Sequence, residues 1–199
     1  MTRPPIVFGI TGASGAPYAV RLLQALTAAH RPVSLIVSRY GMRLLATESG
    51  IESIDVLRDV VGIDAWASYV EVFSNEDRGA PPASGSARTS GMVVCPCSMG
   101  TLSAIAAGSS RSLIERAADV TLKEQRKLIL VPRETPLSAI HLGNMLRLAR
   151  AGAVVMPASP GFYHRPQQIS DLVDFVVARI LDQLGVEQNF VARWKGSVS

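Results

Sequence analysis

The chain has 199 residues, 48% hydrophobic and 18% charged, which is enough to bury a core and too apolar for a disordered or fibrous protein. Its two cysteines, Cys95 and Cys97, stand two apart, which excludes a disulfide framework and lacks the second pair of a structural zinc site, so a reducing, cytoplasmic setting is expected. The net charge of +4 is uneven, with eleven basic and four acidic side chains in residues 78–170; this is either a field that focuses anionic small molecules or a solvated basic surface, and without clustered Lys/Arg and interleaved aromatics it does not read as a nucleic-acid interface.

Met1–Pro5 leads into only five strand-like residues, Ile6–Ile10, so no signal peptide is expected. Ala19, Leu22, Leu23 and Leu26 then recur at helical spacing, and the helix should end near His30, ahead of Pro32. Val33–Ser38 reads as a second strand and Val70–Phe73 as a weaker third. Residues 75–91 have no periodicity and read as a long loop, either disordered or functional, for example as a lid over a site. Met92–Cys95 is a fourth strand closed by Pro96, residues 111–126 carry a helical stripe, and Leu128–Val131 and Ala153–Met156 are strands bounded by Pro132 and Pro157. Ser170–Leu184 closes the series as a helix with Asp171, Asp174 and Asp182 on its solvent face and Arg179 at the azimuth of Leu172. Strands alternating with crossover helices predict an α/β layered fold with a mainly parallel sheet, as one domain spanning residues 1–199. No apolar run reaches the roughly 18 residues of a membrane span.

Several strand ends carry chemistry-bearing residues. Thr11-Gly12-Ala13-Ser14-Gly15 joins the first strand to the first helix: its glycines and helix-start amides suit a phosphate, or it is a tight turn capped by Ser14. Its spacing matches neither the dinucleotide fingerprint nor a Walker loop. Ser38 ends the second strand and Ser98-Met99-Gly100-Thr101 follows the fourth, so one ligand can lie across both edges outside the strand ends. Cys95 and Cys97 have no adjoining His or basic residue and read as buried thiols. Arg116 and Lys123, seven apart, share a helix face on which a phosphate can bridge them, unless Asp119 takes Arg116 as a salt-bridge partner. Arg133-Glu134 is fixed between Pro132 and Pro136, and Glu134 is the only carboxylate of its neighbourhood, expected ionised, as a proton acceptor or an ordinary ion-pair partner. Arg179 among apolar neighbours calls for an anion or snorkels to the surface. The three histidines, His30, His141 and His164, form no pair at ligand spacing, so no metal is expected.

These residues coincide with a known family. The runs Thr11–Gly15, Pro82–Ser86, Cys95–Ser98, Arg116–Val120 with Leu122–Glu124, Arg133–Pro136 and Gly161–Gln167 resemble, in order, the motifs of the UbiX-like flavin prenyltransferases, which share a flavoprotein superfamily with the cysteine decarboxylases. The resemblance implies a Rossmann-like, flavodoxin-type three-layer sandwich and a homo-oligomer, typically a dodecamer, with reduced FMN and dimethylallyl phosphate bound near subunit contacts. It implies a metal-independent prenyl transfer to flavin N5 and C6, with prenylated FMN passed to a UbiD-type decarboxylase. By the same resemblance, Gly12, Ala13, Ser14, Ser38, Ser98, Met99, Gly100, Thr101 and Arg133 hold FMN, Lys123, Tyr163 and Arg179 hold the allylic phosphate, and Arg116 and Glu134 complete the catalytic set with Lys123 and Ser14. Arg78 stands where some relatives carry an aromatic residue and is left out of the site. An FMN-dependent cysteine-type decarboxylase is the alternative enzyme, disfavoured because Pro82-Ala83-Ser84-Gly85-Ser86 lacks that group's Asn-containing run. A non-catalytic FMN carrier is the alternative from outside enzymology.

Overall fold

The structure, a computed structural model, describes residues 3–191. Six strands, β1 (Ile6–Ile10), β2 (Val33–Val37), β3 (Val70–Phe73), β4 (Met92–Cys97), β5 (Leu128–Pro132) and β6 (Val154–Val155), form one sheet in the order β3-β2-β1-β4-β5-β6. All its pairings are parallel. The four expected inner strands, β1, β2, β4 and β5, are each buried on both faces, as continuous Val/Ile-rich runs demand. β4 runs beyond its expected end to Cys97, accommodating Pro96 through a register shift against β5 between Val94 and Cys97. β2 stops one residue short of expectation, because Ser38 leaves the ladder to cap the next helix. β6 keeps only two of its four expected residues.

Helices cover both faces. One layer holds α1 (Ala16–Ala28), α2 (Arg39–Ser49), α3 (Ile54–Val61), α4 (Ile63–Tyr69) and α8 (Ile169–Leu184), packed on Ile6, Phe8, Ile10, Leu35 and Val93. The other holds α5 (Met99–Ala106), α6 (Leu113–Lys123) and α7 (Ala139–Arg150), packed on Val7, Ile36, Met92, Val94 and Leu130. Cys95 faces the first layer and Cys97 the second. The expected three-layer α/β sandwich is therefore present, with a wholly parallel sheet.

The stretch 75–91 is neither a disordered connection nor a free lid. Pro81–Ala83 forms a 3₁₀ turn with Pro82 and Ala83 buried. Asn75 ties its start to the first turn of α6, accepting from the Leu113 amide at 2.7 Å and the Ile114 amide at 3.2 Å. The Arg126 guanidinium clamps its far part, donating to the Gly85 and Ala87 carbonyls at 2.7 Å each. No described helix is long and apolar enough to cross a membrane.

Candidate active site

In a parallel sheet the crevice lies where neighbouring strands send their connections in opposite directions, here between β1 and β4. Thr11, just past β1, fastens that crevice with its amide, which donates to the Pro96 carbonyl at 3.2 Å, and with its hydroxyl. The hydroxyl donates to the Pro96 carbonyl at 2.9 Å and accepts from the Ser98 amide at 2.8 Å, so the loops leaving β1 and β4 are held together at their roots. Ser38 and Ser98 cap the helices that begin there: the Ser38 hydroxyl accepts from the Gly41 amide at 3.0 Å, and the Ser98 hydroxyl accepts from the Thr101 amide at 3.2 Å and hydrogen-bonds the Thr101 hydroxyl at 3.0 Å. The N-termini of α2 and α5 thus open onto a cavity of about 220 Å³ lined by Thr11, Gly12, Ser38, Tyr40, Ser98 and Thr101. Two helix dipoles and their remaining amides make it favourable to an anion. A β-carbon on Gly12 would lie 2.5 Å from that of Tyr40, so only glycine lets the first loop pass beneath the tyrosine.

The α1 N-terminus is built differently from expectation. Its cap position is Gly15, at φ 132°, and no side chain caps it locally. Ser14 is therefore not the N-cap. The carboxylate of Glu48, near the end of α2, accepts from the Gly15 and Ala16 amides at 2.8 Å each. Burial pushes the Glu48 carboxyl up, but the two amides, a hydrogen bond from the Ser14 side chain and the Arg133 charge outweigh it and hold it below the usual carboxylate range. The Arg133 Nε donates to the Ser14 carbonyl at 3.3 Å, bringing β5's end to the same place. Glu48 is the residue that sequence reasoning missed: it lies 33 residues from Gly15, within a helix whose start was not anticipated. An acidic side chain at the second-last position of a helix gives no local sign that it will serve another helix.

The remaining candidates occupy other parts of the surface. Tyr163 and Arg179 line a cavity of about 610 Å³ along α8 together with Phe175, Val186 and Val191. The Tyr163 ring meets Phe175 edge-on at 5.6 Å, His164 stacks on Phe175 at 5.2 Å, and Tyr163 and His164 meet edge-on at 5.9 Å. Arg179 is not an arginine enclosed by apolar neighbours: it is exposed and pairs with Asp182 one turn on, at 3.2 Å. Asp174, expected on the solvent face, instead receives a two-point hydrogen bond from Arg21 at 2.6 and 3.2 Å. Arg116 pairs with Asp119 at 2.9 Å and exposed Lys123 with Glu124, so each cation of α6 already has its own carboxylate. Lys123 reaches the Pro82–Ser86 run, where a β-carbon on Gly85 would lie 2.8 Å from its Nζ. Glu134 is exposed and accepts from the Thr135 amide at 3.1 Å. Met99 is buried under the α5 start while Gly100 is exposed beside it. Within one chain, then, Gly12, Ser38, Ser98 and Thr101 of the flavin candidates line one cavity at the strand ends, whereas Lys123 lines neither that cavity nor the one of Tyr163 and Arg179.

Both thiols are inaccessible. Burial pushes Cys95 up, reinforced by Cys97, and burial pushes Cys97 up to about 12. Neither is a nucleophile at neutral pH.

Comparison with known proteins agrees with this geometry. A family model described as Flavoprotein matches residues 1–181. The flavin prenyltransferase UbiX of Pseudomonas aeruginosa is 51% identical over 196 residues, covering 95% of this chain and 93% of that protein. Among solved structures, AnUbiX (PadA1) in complex with FMN and dimethylallyl pyrophosphate superposes with a TM-score of 0.89 at 42% identity, covering 98% of this chain and 99% of that one. A dodecameric FMN-dependent UbiX-like decarboxylase from Escherichia coli O157:H7 gives 0.87 at 44% identity, covering 96% and 100%. The chain belongs to the flavoprotein family and, within it, to the UbiX flavin prenyltransferases.

Proposed function

We propose that the protein transfers the dimethylallyl group of dimethylallyl phosphate to N5 and C6 of reduced FMN, as a single cytoplasmic domain assembled into a homo-oligomer, and that a UbiD-type decarboxylase takes up the prenylated FMN. The observation that carries this reading is the crevice between β1 and β4, where two capped helix N-termini open onto one cavity in a chain 51% identical to a flavin prenyltransferase. The donor set fits a flavin phosphate: neutral hydroxyls, helix-start amides and a glycine with no room for a β-carbon, while Glu115, the one carboxylate in the lining, is taken up by the Ser109 hydroxyl and by Arg111.

Reduced flavin supplies the electron-rich nitrogen and carbon that receive the prenyl group. The chain's part is to bind, orient and neutralise. Ser38, Ser98 and Thr101 with the backbone of Gly12, Ala13, Met99 and Gly100 hold the flavin, and Arg133 and Ser14, braced by Glu48, set its position against the strand ends. Lys123, Tyr163 and Arg179 take the allylic phosphate, where fixed cations stabilise the charge that develops as the carbon–oxygen bond breaks. Arg116 supports that field. Glu134, with the departing phosphate, accepts and returns protons as the new ring closes, so Glu134→Gln should bind both substrates yet form the closed ring at least roughly tenfold more slowly. Ring closure at the normal rate in single-turnover spectra removes that role.

Lys123 meets Tyr163 and Arg179 between subunits, a reading supported by its absence from the lining of the Tyr163 and Arg179 cavity and by the dodecameric E. coli relative. The overall reading is tested by anaerobic incubation with reduced FMN and dimethylallyl phosphate, followed by mass spectrometry of the flavin. A flavin heavier by one prenyl unit is expected, and an unmodified flavin beside an active control overturns the proposal in favour of a carrier.

A further inference from the structure

The rim of the sheet opposite the strand-end loops has its own cationic feature. Arg31 lies in the turn from α1 to β2, with 6% of its surface exposed, and its Nε is buried without a hydrogen-bond partner. No carboxylate forms an ion pair with it among the described residues, and the charge that acts on it is another cation, Arg3. Burial first and then Arg3 draw Arg31 below the ordinary arginine value, which marks a charge without local compensation. Both arginines line a cavity of about 620 Å³ walled by the last turn of α1 and by residues 185–190 beyond α8. Glu187 also lines it but pairs with neither arginine. The carbonyl end of α1 lends the guanidinium a favourable dipole, yet gives Nε no acceptor.

We propose that Arg3 and Arg31 form a binding site for a phosphate-type dianion, either inorganic phosphate or the phosphate of a monoester. The guanidinium presents donors in a planar fork that matches two oxygens of one phosphate, including the Nε–H that the protein leaves unused. Two cations balance a dianion, whereas one carboxylate balances a single arginine. The cavity exceeds what inorganic phosphate needs and leaves room for the organic part of an ester. The site is separate from the flavin crevice, because Arg31 precedes β2 and Ser38 follows it, a separation of roughly 20 Å along an extended strand.

Calorimetric titration of the FMN-loaded protein with inorganic phosphate, and in parallel with glycerol 3-phosphate, tests the site. A saturable event is expected that weakens about tenfold or more in Arg31→Gln and severalfold in Arg3→Ala, with prenyl transfer unchanged in both. Arg31→Lys keeps the charge without the fork and should bind more weakly than wild type, so a poorly folded Arg31→Gln does not decide the matter. Tighter binding of glycerol 3-phosphate identifies an ester as the ligand, and tighter binding of inorganic phosphate the free anion. Crystals soaked in tungstate should show an anomalous peak between the two arginines. Identical isotherms for wild type, Arg31→Lys and Arg3→Ala overturn the proposal, as does a tungstate peak without solution binding, which is an adventitious ion only.

Discussion

Glu48 fills, from 33 residues away, the position at the start of α1 where the sequence suggests a ligand's phosphate. With the Gly15 and Ala16 amides already engaged, the proposed flavin anion is left the starts of α2 and α5, and Glu48 is the brace that fixes Ser14 and Gly15. Its folded-state carboxyl is held below the ordinary 4.5, so its stabilising contribution is complete above that value and is lost as pH falls beneath it. Glu48→Gln should lower Tm at neutral pH by roughly 2–4 °C, the carboxylate being largely exposed, and should loosen flavin binding. The difference from wild type should shrink as thermal melts are carried below pH 4.5, and a constant difference would contradict the assignment. Single residues such as Ser38, Ser98 and Arg133 were legible because each directly follows a strand. Glu48 and the partners of Asp174 and Arg179 were not, because tertiary packing alone decides which charges meet.

At the level of elements, the inner strands and the helices α1, α6 and α8 were readable from period alone, since each buries a continuous run or a stripe of four or more apolar residues. The helices α2 and α7 hid from that reading because each buries almost nothing: Gly41 and Leu45 in α2, only Leu148 in α7. In α7 the exposed Ile140, Leu142 and Leu146 spread apolar residues around the helix and erase its stripe. α5 is apolar nearly all round and so carries no face at all. Beyond the ladder, the loops leaving β1 and β4 are tied by the Thr11 side chain, and Thr11→Val tests that tie. Valine keeps the shape and leaves the Pro96 carbonyl its bond from the residue 11 amide, but strands the Ser98 amide, which should cost about 1–3 kcal/mol in urea unfolding, whereas Thr11→Ser should cost much less. Equal losses in the two variants would assign the effect to packing rather than to the hydroxyl.

The whole molecule poses a different problem, because, of the cations proposed for one phosphate, Arg179 lines the cavity along α8 and Lys123 does not. If neighbouring subunits bring them together, Lys123→Ala and Arg179→Ala should each abolish turnover alone and restore about a quarter of it when co-assembled in equal amounts, since random mixing leaves that fraction of sites intact. Product formation by the mixed oligomer is the measurement, and no recovery would place all the cations of a site on one subunit. Sequence order cannot show this arrangement, because the distance that matters runs between copies.

Cys95 and Cys97 are two residues apart yet look into opposite helical layers, both fully buried. Iodoacetamide therefore finds no target until a layer lifts away, and the modified position, read by peptide mass, reports which one. Slow labelling under native conditions, with Cys95 and Cys97 reacting at different rates, would make the protein its own clock for the breathing of each half of the sandwich.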